Sequence, residues 1–144
     1  MTTTATPRAP GETNLATLLS TLRPTLHDET YIFLTIPPTH PSFSPTNAAP
    51  LLQALQPRLL FHEPEGIMII TTPGLAETNG FTEYVFECRM ISPEVQSSLE
   101  AVGLMAAISA ALGRAGVSAN VASGFYHDHV FVPVGKEDFA MGVF

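Results

Sequence analysis

The chain has 144 residues, enough for one ordinary domain or for two small domains that share a core. Apolar residues make up 45% of it, which suffices for a packed interior, whereas charged residues make up 13%, about half the usual share. The formal charge is −7, and only six Lys and Arg residues are scattered along the chain. We therefore expect no nucleic-acid partner, because neutralising phosphates requires clustered basic side chains.

A single cysteine and the lack of long apolar runs exclude further classes. Cys88 can form neither an intramolecular disulfide nor a cysteine-based zinc site, and its strand-like setting indicates a buried, unreactive thiol. No segment approaches the ~20 apolar residues that cross a bilayer. Residues 1–14 lack the pattern of a signal or transit peptide. We expect a soluble, cytoplasmic protein without a membrane partner, and a disordered tail over residues 1–14.

The segment after this tail predicts a helix followed by a buried strand. Leucines recur at helical spacing over residues 15–26, Asn14 suits an N-cap, and Pro24 is expected to end or kink the helix. The β-rich run at residues 31–36 then predicts a strand buried on both faces. Five prolines within residues 37–50 predict a long loop.

Residues 51–79 predict short elements. A helical turn at 51–55 precedes two strands, at 59–62 and 67–72. The sequence Glu63-Pro64-Glu65-Gly66 between these strands is typical of a hairpin turn, because Pro fixes φ and Gly tolerates positive φ. A short helix or turn is expected over residues 75–79.

The second half is dominated by one long predicted helix. Partial alternation predicts a strand over residues 81–91, and residues 97–115 have the pattern of a helix. Ser97 and Glu100 are spaced as a capping box at its start, and Gly116 suits its C-terminal end. Its expected inward stripe consists of Leu99, Val102, Ala106, Ser109 and Leu112. Strands at 117–122 and 130–134 and a final helix from Lys136 follow.

This order of elements predicts an α+β fold with two ferredoxin-like halves. Alternation of single helices with antiparallel hairpins distinguishes such a fold from a doubly wound parallel sheet. The helices are expected to pack on one face of the antiparallel sheets. The predicted halves are residues 15–79, including the loop at 37–50, and residues 80–144.

Specific segments resemble one known family. The runs at residues 97–104, 115–121 and 126–133, and the acidic hairpin at 61–66, are similar to those of small tandem-ACT proteins of bacteria and fungi. These proteins are related to the ACT halves of the animal cytosolic arginine sensor. The resemblance implies two ACT-like βαββαβ halves, frequent homodimerisation, and binding of amino acids or similar metabolites beside a strand-to-helix loop.

Two polar segments are candidate ligand-binding sites. The loop at residues 92–99 leads into a predicted helix N-terminus, which favours an anion such as a carboxylate; the alternative is that its serine merely caps the helix. The second segment is residues 126–129. Its Asp128 is expected to hold a ligand ammonium group or, alternatively, to accept turn hydrogen bonds. The candidate ligand-binding residues are Ser97, Ser98, Leu99, Val102, Gly103, Tyr126, His127 and Asp128.

Metal binding and catalysis have weaker support. His127 and His129 would point to one face of a strand, but two ligands do not make a zinc site, so we expect neither a metal nor another cofactor. Phosphate-loop, nucleophile-elbow and zinc-protease motifs are missing. A triad of Ser98, His127 and Asp128 has no fixed geometry. We expect a non-enzymatic regulator that binds an amino acid or similar metabolite; the alternative is a ligand-free interaction or scaffold domain.

Overall fold

A computed structural model describes residues 11–41, 48–95 and 97–144. Residues 1–10 of the predicted tail and residues 42–47 of the predicted loop therefore lie outside the described residues. The strands are β1 (Pro24–Ile36), β2 (Leu59–Glu63), β3 (Gly66–Thr71), β4 (Val85–Pro93), β5 (Asn120–Ser123) and β6 (Asp128–Pro133). The helices are α1 (Leu15–Thr21), α2 (Ala48–Leu55), α3 (Pro73–Thr78), α4 (Leu104–Arg114) and α5 (Glu137–Met141).

One antiparallel sheet contains these strands in the order β2-β3-β1-β4-β6-β5. The N-terminal half is formed by β1, α2, β2, β3 and α3, and the C-terminal half by β4, α4, β5, β6 and α5. Each half uses the first strand of the other as its own fourth strand, so β1 and β4 are shared at the centre. The predicted pair of ferredoxin-like halves is confirmed.

Helices cover one face of this sheet. In the N-terminal half, Ile32 and Ile69 of the sheet pack in one cluster with Leu55 of α2. In the C-terminal half, α1, α4 and α5 pack on Ile91 and Val130. Burying these apolar side chains provides the main stabilisation of the fold, because each is removed almost completely from water.

The opposite face has its own apolar cluster, because neighbouring residues of a strand point to opposite faces. Tyr31 and Cys88 are fully buried there, and the Phe131 ring makes edge contacts with Tyr31 and Phe33 at centroid distances of 6.1 and 5.7 Å. Burial raises the pKa of the Cys88 thiol to about 12. The predicted burial of Cys88 is confirmed, and its thiolate is strongly disfavoured.

The predicted boundaries in the first half need two corrections. Asn14 caps α1 as predicted, by accepting a hydrogen bond from the Thr17 amide at 3.0 Å, but α1 ends at Thr21 and Pro24 already belongs to β1. The predicted loop also extends too far, because α2 begins at Ala48. Pro50 is compatible with this helix because the first turn makes no use of its missing amide hydrogen.

The hairpin between β2 and β3 is confirmed, with Glu63 paired to Gly66. Gly66 has a φ of +147°, and a Cβ built on it would lie 2.1 Å from the Ile36 carbonyl oxygen. Any side chain at this position would therefore collide with the backbone of β1. Glycine is required here by the close approach of two strands as well as by the turn.

The predicted capping box at the start of α4 is wrong. Ser97 forms a parallel bridge with Glu12, and the Ser98 hydroxyl accepts a hydrogen bond from the Glu100 amide in a local turn. The helix begins at Leu104 after Gly103, whose φ of +97° is left-handed. A contact with the distant segment at residue 12 overrides the local serine-glutamate pattern.

The later start of α4 also changes which side chains face the sheet. Leu104, Ile108 and Leu112 are buried, whereas Leu99 and Val102, two members of the predicted inward stripe, are 65% and 82% exposed. The C-terminal end agrees with the prediction, because Gly116 follows the helix at φ +71°. Arg114 lies in the last turn.

Candidate functional site

A cavity of about 520 Å³ lies where β1, the end of β4 and the β5–β6 hairpin meet. We call it the histidine cavity, because three of its lining side chains are imidazoles. The lining residues are His27, Ser92, Glu94, Val95, His127 and His129. They come from both halves of the sheet, so the cavity depends on how β1 and β4 are joined.

A buried serine connects two of the imidazoles. The Ser92 Oγ lies 2.8 Å from His27 Nε2 and 2.7 Å from His129 Nδ1, and Ser92 is only 6% exposed. A hydroxyl carries one proton, so with neutral rings Ser92 donates to one imidazole and accepts from the other. The ring that accepts from Ser92 then carries its proton on its other nitrogen.

The electrostatics of the cavity favour neutral imidazole at His129. Burial lowers the pKa of His129 below its ordinary value of 6.5, and the neighbouring His27 and His127 lower it further, against an opposing effect of Asp128. A ligand carboxylate in the cavity would reverse part of this effect, because an anion favours the protonated ring. Binding of a carboxylate here would therefore be coupled to proton uptake.

The rim of the cavity carries an acidic group of defined position. Glu94 Oε1 accepts a hydrogen bond from the Thr25 hydroxyl at 2.7 Å, and the Glu94 amide donates to the Arg23 carbonyl, also at 2.7 Å. These two contacts fix the residue against the start of β1. An exposed carboxylate held in this way can accept hydrogen bonds from an ammonium group.

A bulge in β1 brings His27 to the cavity. From Leu26 to Thr30 β1 advances four residues, while its partner β4 advances two, from Ile91 to Arg89. Two residues of β1 are therefore inserted into the ladder, which lets the strand bend locally. Arg89 stabilises this bend: its Nε and Nη2 donate to the His27 carbonyl at 3.2 and 2.7 Å.

A half-buried ion pair holds Arg89 itself in place. Its Nη1 lies 3.4 Å from Glu137 Oε1 of α5, and the two side chains are 19% and 17% exposed. Both acceptors of this one guanidinium thus lie on different elements, β1 and α5. Arg89 links the bulge to the helix-covered core.

Two of the eight residues predicted from the sequence are brought into contact. The Ser97 hydroxyl donates to Asp128 Oδ2 at 3.3 Å, which ties the segment before α4 to the start of β6. The ring of Tyr126 packs edge-on against Phe125, with centroids 4.7 Å apart, at the tip of the hairpin. Of the eight residues, His127 contributes to the lining of the histidine cavity.

The triad considered above is not supported by the arrangement of its members. Ser98 bonds to the Glu100 amide, and Asp128 is bonded to Ser97. Among residues 11–41, 48–95 and 97–144, no group of three or more His, Cys, Asp or Glu side chains is arranged to hold a metal ion. Two imidazoles of the cavity, those of His27 and His129, form hydrogen bonds with Ser92.

An ACT-domain model matches residues 10–89, more than half of the chain, and a second ACT-domain model matches residues 84–143. The chain belongs to the ACT-domain family. The two matches overlap at the beginning of β4, which is the strand that the two halves share with β1. In this ACT protein the histidine cavity therefore lies where the two ACT units join.

Solved structures share this architecture. A Vibrio cholerae protein of unknown function is 33% identical, with a TM-score of 0.73 over 88% of this chain and 89% of that one. The regulatory subunit of aspartate kinase from Thermus flavus is 14% identical, with a TM-score of 0.59 over 83% and 93%. An Agrobacterium tumefaciens protein is 10% identical, with a TM-score of 0.62 over 85% of each chain. The last two show a common fold alone.

None of the curated proteins compared with the chain matches it. In the part of the chain that the structure describes, every helix is too short or too polar to span a lipid bilayer.

Residues of the ACT protein that the sequence alone did not identify form most of the cavity. Ser92 stood at the start of the predicted loop, and His129 was paired with His127 by alternation along a strand. Glu94 and Val95 lay inside that loop but were not among the candidate ligand-binding residues, and His27 carried no local signal. The bulge in β1 that brings His27 to Ser92 can be predicted only if the register between β1 and β4 is known.

Proposed function

We propose that this ACT protein is a non-enzymatic regulatory module that binds an amino acid or a similar small metabolite in the histidine cavity. The observation that supports it is the buried Ser92 held between His27 and His129 beside the rim carboxylate of Glu94. Such convergent polar groups in a concave site are typical of small-molecule binding. The volume of about 520 Å³ lies within the range of roughly 300–1,000 Å³ that such sites span.

The lining groups suit the two charged ends of an amino acid. Imidazole N–H groups donate hydrogen bonds to a carboxylate, and a protonated ring adds a charge. Glu94 accepts hydrogen bonds from an ammonium group, and Val95 offers an apolar contact to a side chain. We assign His127 the role of a wall, and Asp128 that of holding the segment at Ser97 in position.

The arrangement around Ser92 favours binding over catalysis. A serine nucleophile needs a base that a third group orients, usually a carboxylate. Ser92 instead bridges two imidazoles, so its single proton is shared within a network that joins β1, β4 and β6. The fold shared with a regulatory subunit of aspartate kinase also supports a regulatory role.

A thermal shift screen against the twenty amino acids at millimolar concentration tests this function. A ligand present at 100 times its Kd stabilises the native state by about 2.7 kcal/mol, which raises the Tm measurably. We expect at least one amino acid to do so, and Ser92→Ala to abolish the shift. His27→Gln and His129→Asn retain a nitrogen or oxygen at the bonded position and should weaken the shift without abolishing folding.

Ser118→Ala and His62→Gln are matched controls, because both residues are exposed and contribute no lining side chain. A shift that persists unchanged in Ser92→Ala would exclude the histidine cavity as the site. If none of the compounds raises the Tm, the rival function, a ligand-free interaction domain, gains support. The exposed apolar side chains of Val102 and Phe125, 82% and 73% accessible, favour that rival.

A further inference from the structure

A second cavity, of about 470 Å³, adjoins the β1 bulge at Glu29. It is bounded by the C-terminal end of α2, the connection from β3 to α3, and β1 itself. We call it the ion-pair cavity, because Glu29 and Arg58 meet in it. None of its lining residues lines the histidine cavity, so a ligand bound here is independent of the function proposed above.

Four of the lining residues have side chains that end in planar hydrogen-bonding groups. They are Glu29, Gln53, Gln56 and Arg58. A carboxylate, an amide or a guanidinium can make two hydrogen bonds side by side in one plane. These groups are the ones that pair with the edges of nucleobases: Arg with guanine, Gln with adenine, and a carboxylate with the amino group of cytosine. The set therefore suits a flat heterocycle whose edge carries donors and acceptors.

The ion pair itself leaves hydrogen-bonding capacity to such a ligand. Arg58 Nη2 lies 3.2 Å from Glu29 Oε2, and the two side chains are 54% and 53% exposed. This contact uses one nitrogen and one oxygen, whereas a guanidinium has five N–H donors and a carboxylate has about four acceptor sites. An uncharged ring with an acceptor next to a donor can therefore bind Arg58 and Glu29 together without separating the two charges.

A buried tyrosine holds both charged groups. The Tyr31 hydroxyl donates to Glu29 Oε2 at 2.5 Å, and the Arg58 guanidinium lies 5.8 Å from the centroid of the Tyr31 ring. Tyr31 is fully buried in the sheet core, so it is a rigid support. Its hydrogen bond lowers the pKa of Glu29, which favours the charged carboxylate. Because a charged carboxylate only accepts hydrogen bonds, Glu29 suits the N–H groups of a base.

Apolar side chains also line the ion-pair cavity. They belong to Leu52 of α2, to Pro57, and to Leu75 of α3. A nucleobase has apolar faces and a polar edge, and enzymes that extract a base from a duplex bind it by hydrogen bonds to its edge and by packing of apolar side chains on its faces. The lining of this cavity provides both kinds of contact.

Charge distinguishes between a nucleoside and a nucleotide as the ligand. Arg58 is the only basic residue of the lining, it lies beside Glu29, and the chain has a formal charge of −7. A phosphate group would be repelled by Glu29 and by the net charge, because phosphate binding requires clustered basic side chains. An uncharged base or nucleoside does not encounter this repulsion.

We propose that the ion-pair cavity binds a nucleobase, as the free base or as an uncharged nucleoside. An acceptor on the edge of the base binds Arg58, and the neighbouring N–H group binds Glu29. Gln53 and Gln56 bind further polar atoms of the same ring, and its faces pack against the apolar lining.

NMR titration of the full chain with adenosine, guanosine, cytidine and uridine tests this proposal, and ribose is the control for the sugar. The side-chain amides of Gln53 and Gln56 are the reporters. We expect at least one nucleoside to move these resonances in a saturable manner, whereas ribose leaves them unmoved. The monophosphate of that nucleoside should bind about tenfold more weakly or worse. Resonances that none of the nucleosides moves, or that ribose moves equally, would overturn the proposal, as would tighter binding of the monophosphate.

Variants assign the binding to this cavity. Arg58→Met and Glu29→Met keep the length of each side chain but remove its hydrogen bonds, so each should weaken nucleoside binding about tenfold or more. Arg114→Met and Glu65→Met are the matched controls at exposed positions that line neither cavity, and they should leave the Kd unchanged. A circular dichroism melt of each variant separates lost binding from lost folding. Unchanged affinity in the folded Arg58 and Glu29 variants, or an equal loss in the controls, would refute the assignment.

Discussion

The histidine cavity differs in construction from the ion-pair cavity, in which Glu29 and Arg58 meet. Both adjoin the same few residues of β1. His27 contributes to one and Glu29, two residues further, to the other, and the bulge in the ladder lies at this position. The histidine cavity depends on a buried serine shared by imidazoles, whereas the ion-pair cavity depends on an exposed pair resting on a buried tyrosine. A backbone irregularity, held by Arg89, thus supports two chemically different sites.

Replacing Arg89 by methionine should have the largest effect, because it removes the support that both cavities share. The variant keeps the length of the side chain but removes three donated hydrogen bonds and the partner of Glu137. Loss of charged hydrogen bonds in a half-buried setting typically costs about 2–4 kcal/mol. We expect urea denaturation to show a loss of this size in the free energy of unfolding.

Arg114→Met is the matched control, because this exposed residue lies in the last turn of α4. It should cost about 0.5 kcal/mol or less, as for most surface substitutions. In Arg89→Met, resonances of residues lining both cavities should shift, and not those of one alone. Equal stability of the Arg89 and Arg114 variants would show that the bulge is maintained without the guanidinium.

The fold could be predicted from the sequence because its determinants are local and repetitive. Apolar periodicity, the turn at Glu63-Pro64-Glu65-Gly66 and the cap at Asn14 indicated the element types, and the resemblance to ACT proteins agreed with them. The predicted start of α4 was wrong because Ser97 pairs with Glu12, 85 positions earlier in the chain. Local capping patterns carry no information about such contacts.

The cavities could not be predicted for a related reason. A one-residue or two-residue shift in strand register changes which side chains meet, and the sequence does not display it. His27 and Ser92 are 65 positions apart, and Arg58 and Glu29 are 29 apart. The candidate ligand-binding segment at residues 126–129 lies close to the histidine cavity, because a short hairpin brings residues near in sequence together. The ion-pair cavity contains none of the candidate ligand-binding residues.

Glu29→Gln should have a smaller effect, a change in the pKa of Tyr31 in the ion-pair cavity. Burial is the main reason that the pKa of Tyr31 is raised above 10.0, and the bond to Glu29 raises it further. Removing the carboxylate should therefore lower the pKa of Tyr31 while leaving it above the ordinary value. Absorbance titration of tyrosinate measures this, with Tyr31→Phe to identify the Tyr31 component.

Glu65→Gln, in the exposed β2–β3 turn, is the control for loss of one negative charge. It should leave the Tyr31 titration as in the unsubstituted chain. An identical Tyr31 titration in the Glu29 variant would contradict the hydrogen bond at 2.5 Å. It would mean that Tyr31 does not hold the Glu29 carboxylate in place.

The smallest expected effect is a pH dependence that comes from His129 in the histidine cavity. The pKa of folded His129 lies below its unfolded value of 6.5, so on acidification the unfolded chain binds the proton first. Its contribution to stability is complete above the unfolded value and is lost as the pH falls toward the folded value. His129→Asn, which places an amide where Nδ1 meets Ser92, should therefore lose less stability than the unsubstituted chain between about pH 7.5 and 5.5. His62→Asn, at an exposed position of β2, should retain the full dependence, and parallel pH profiles for all three proteins would show that burial of His129 has no energetic consequence.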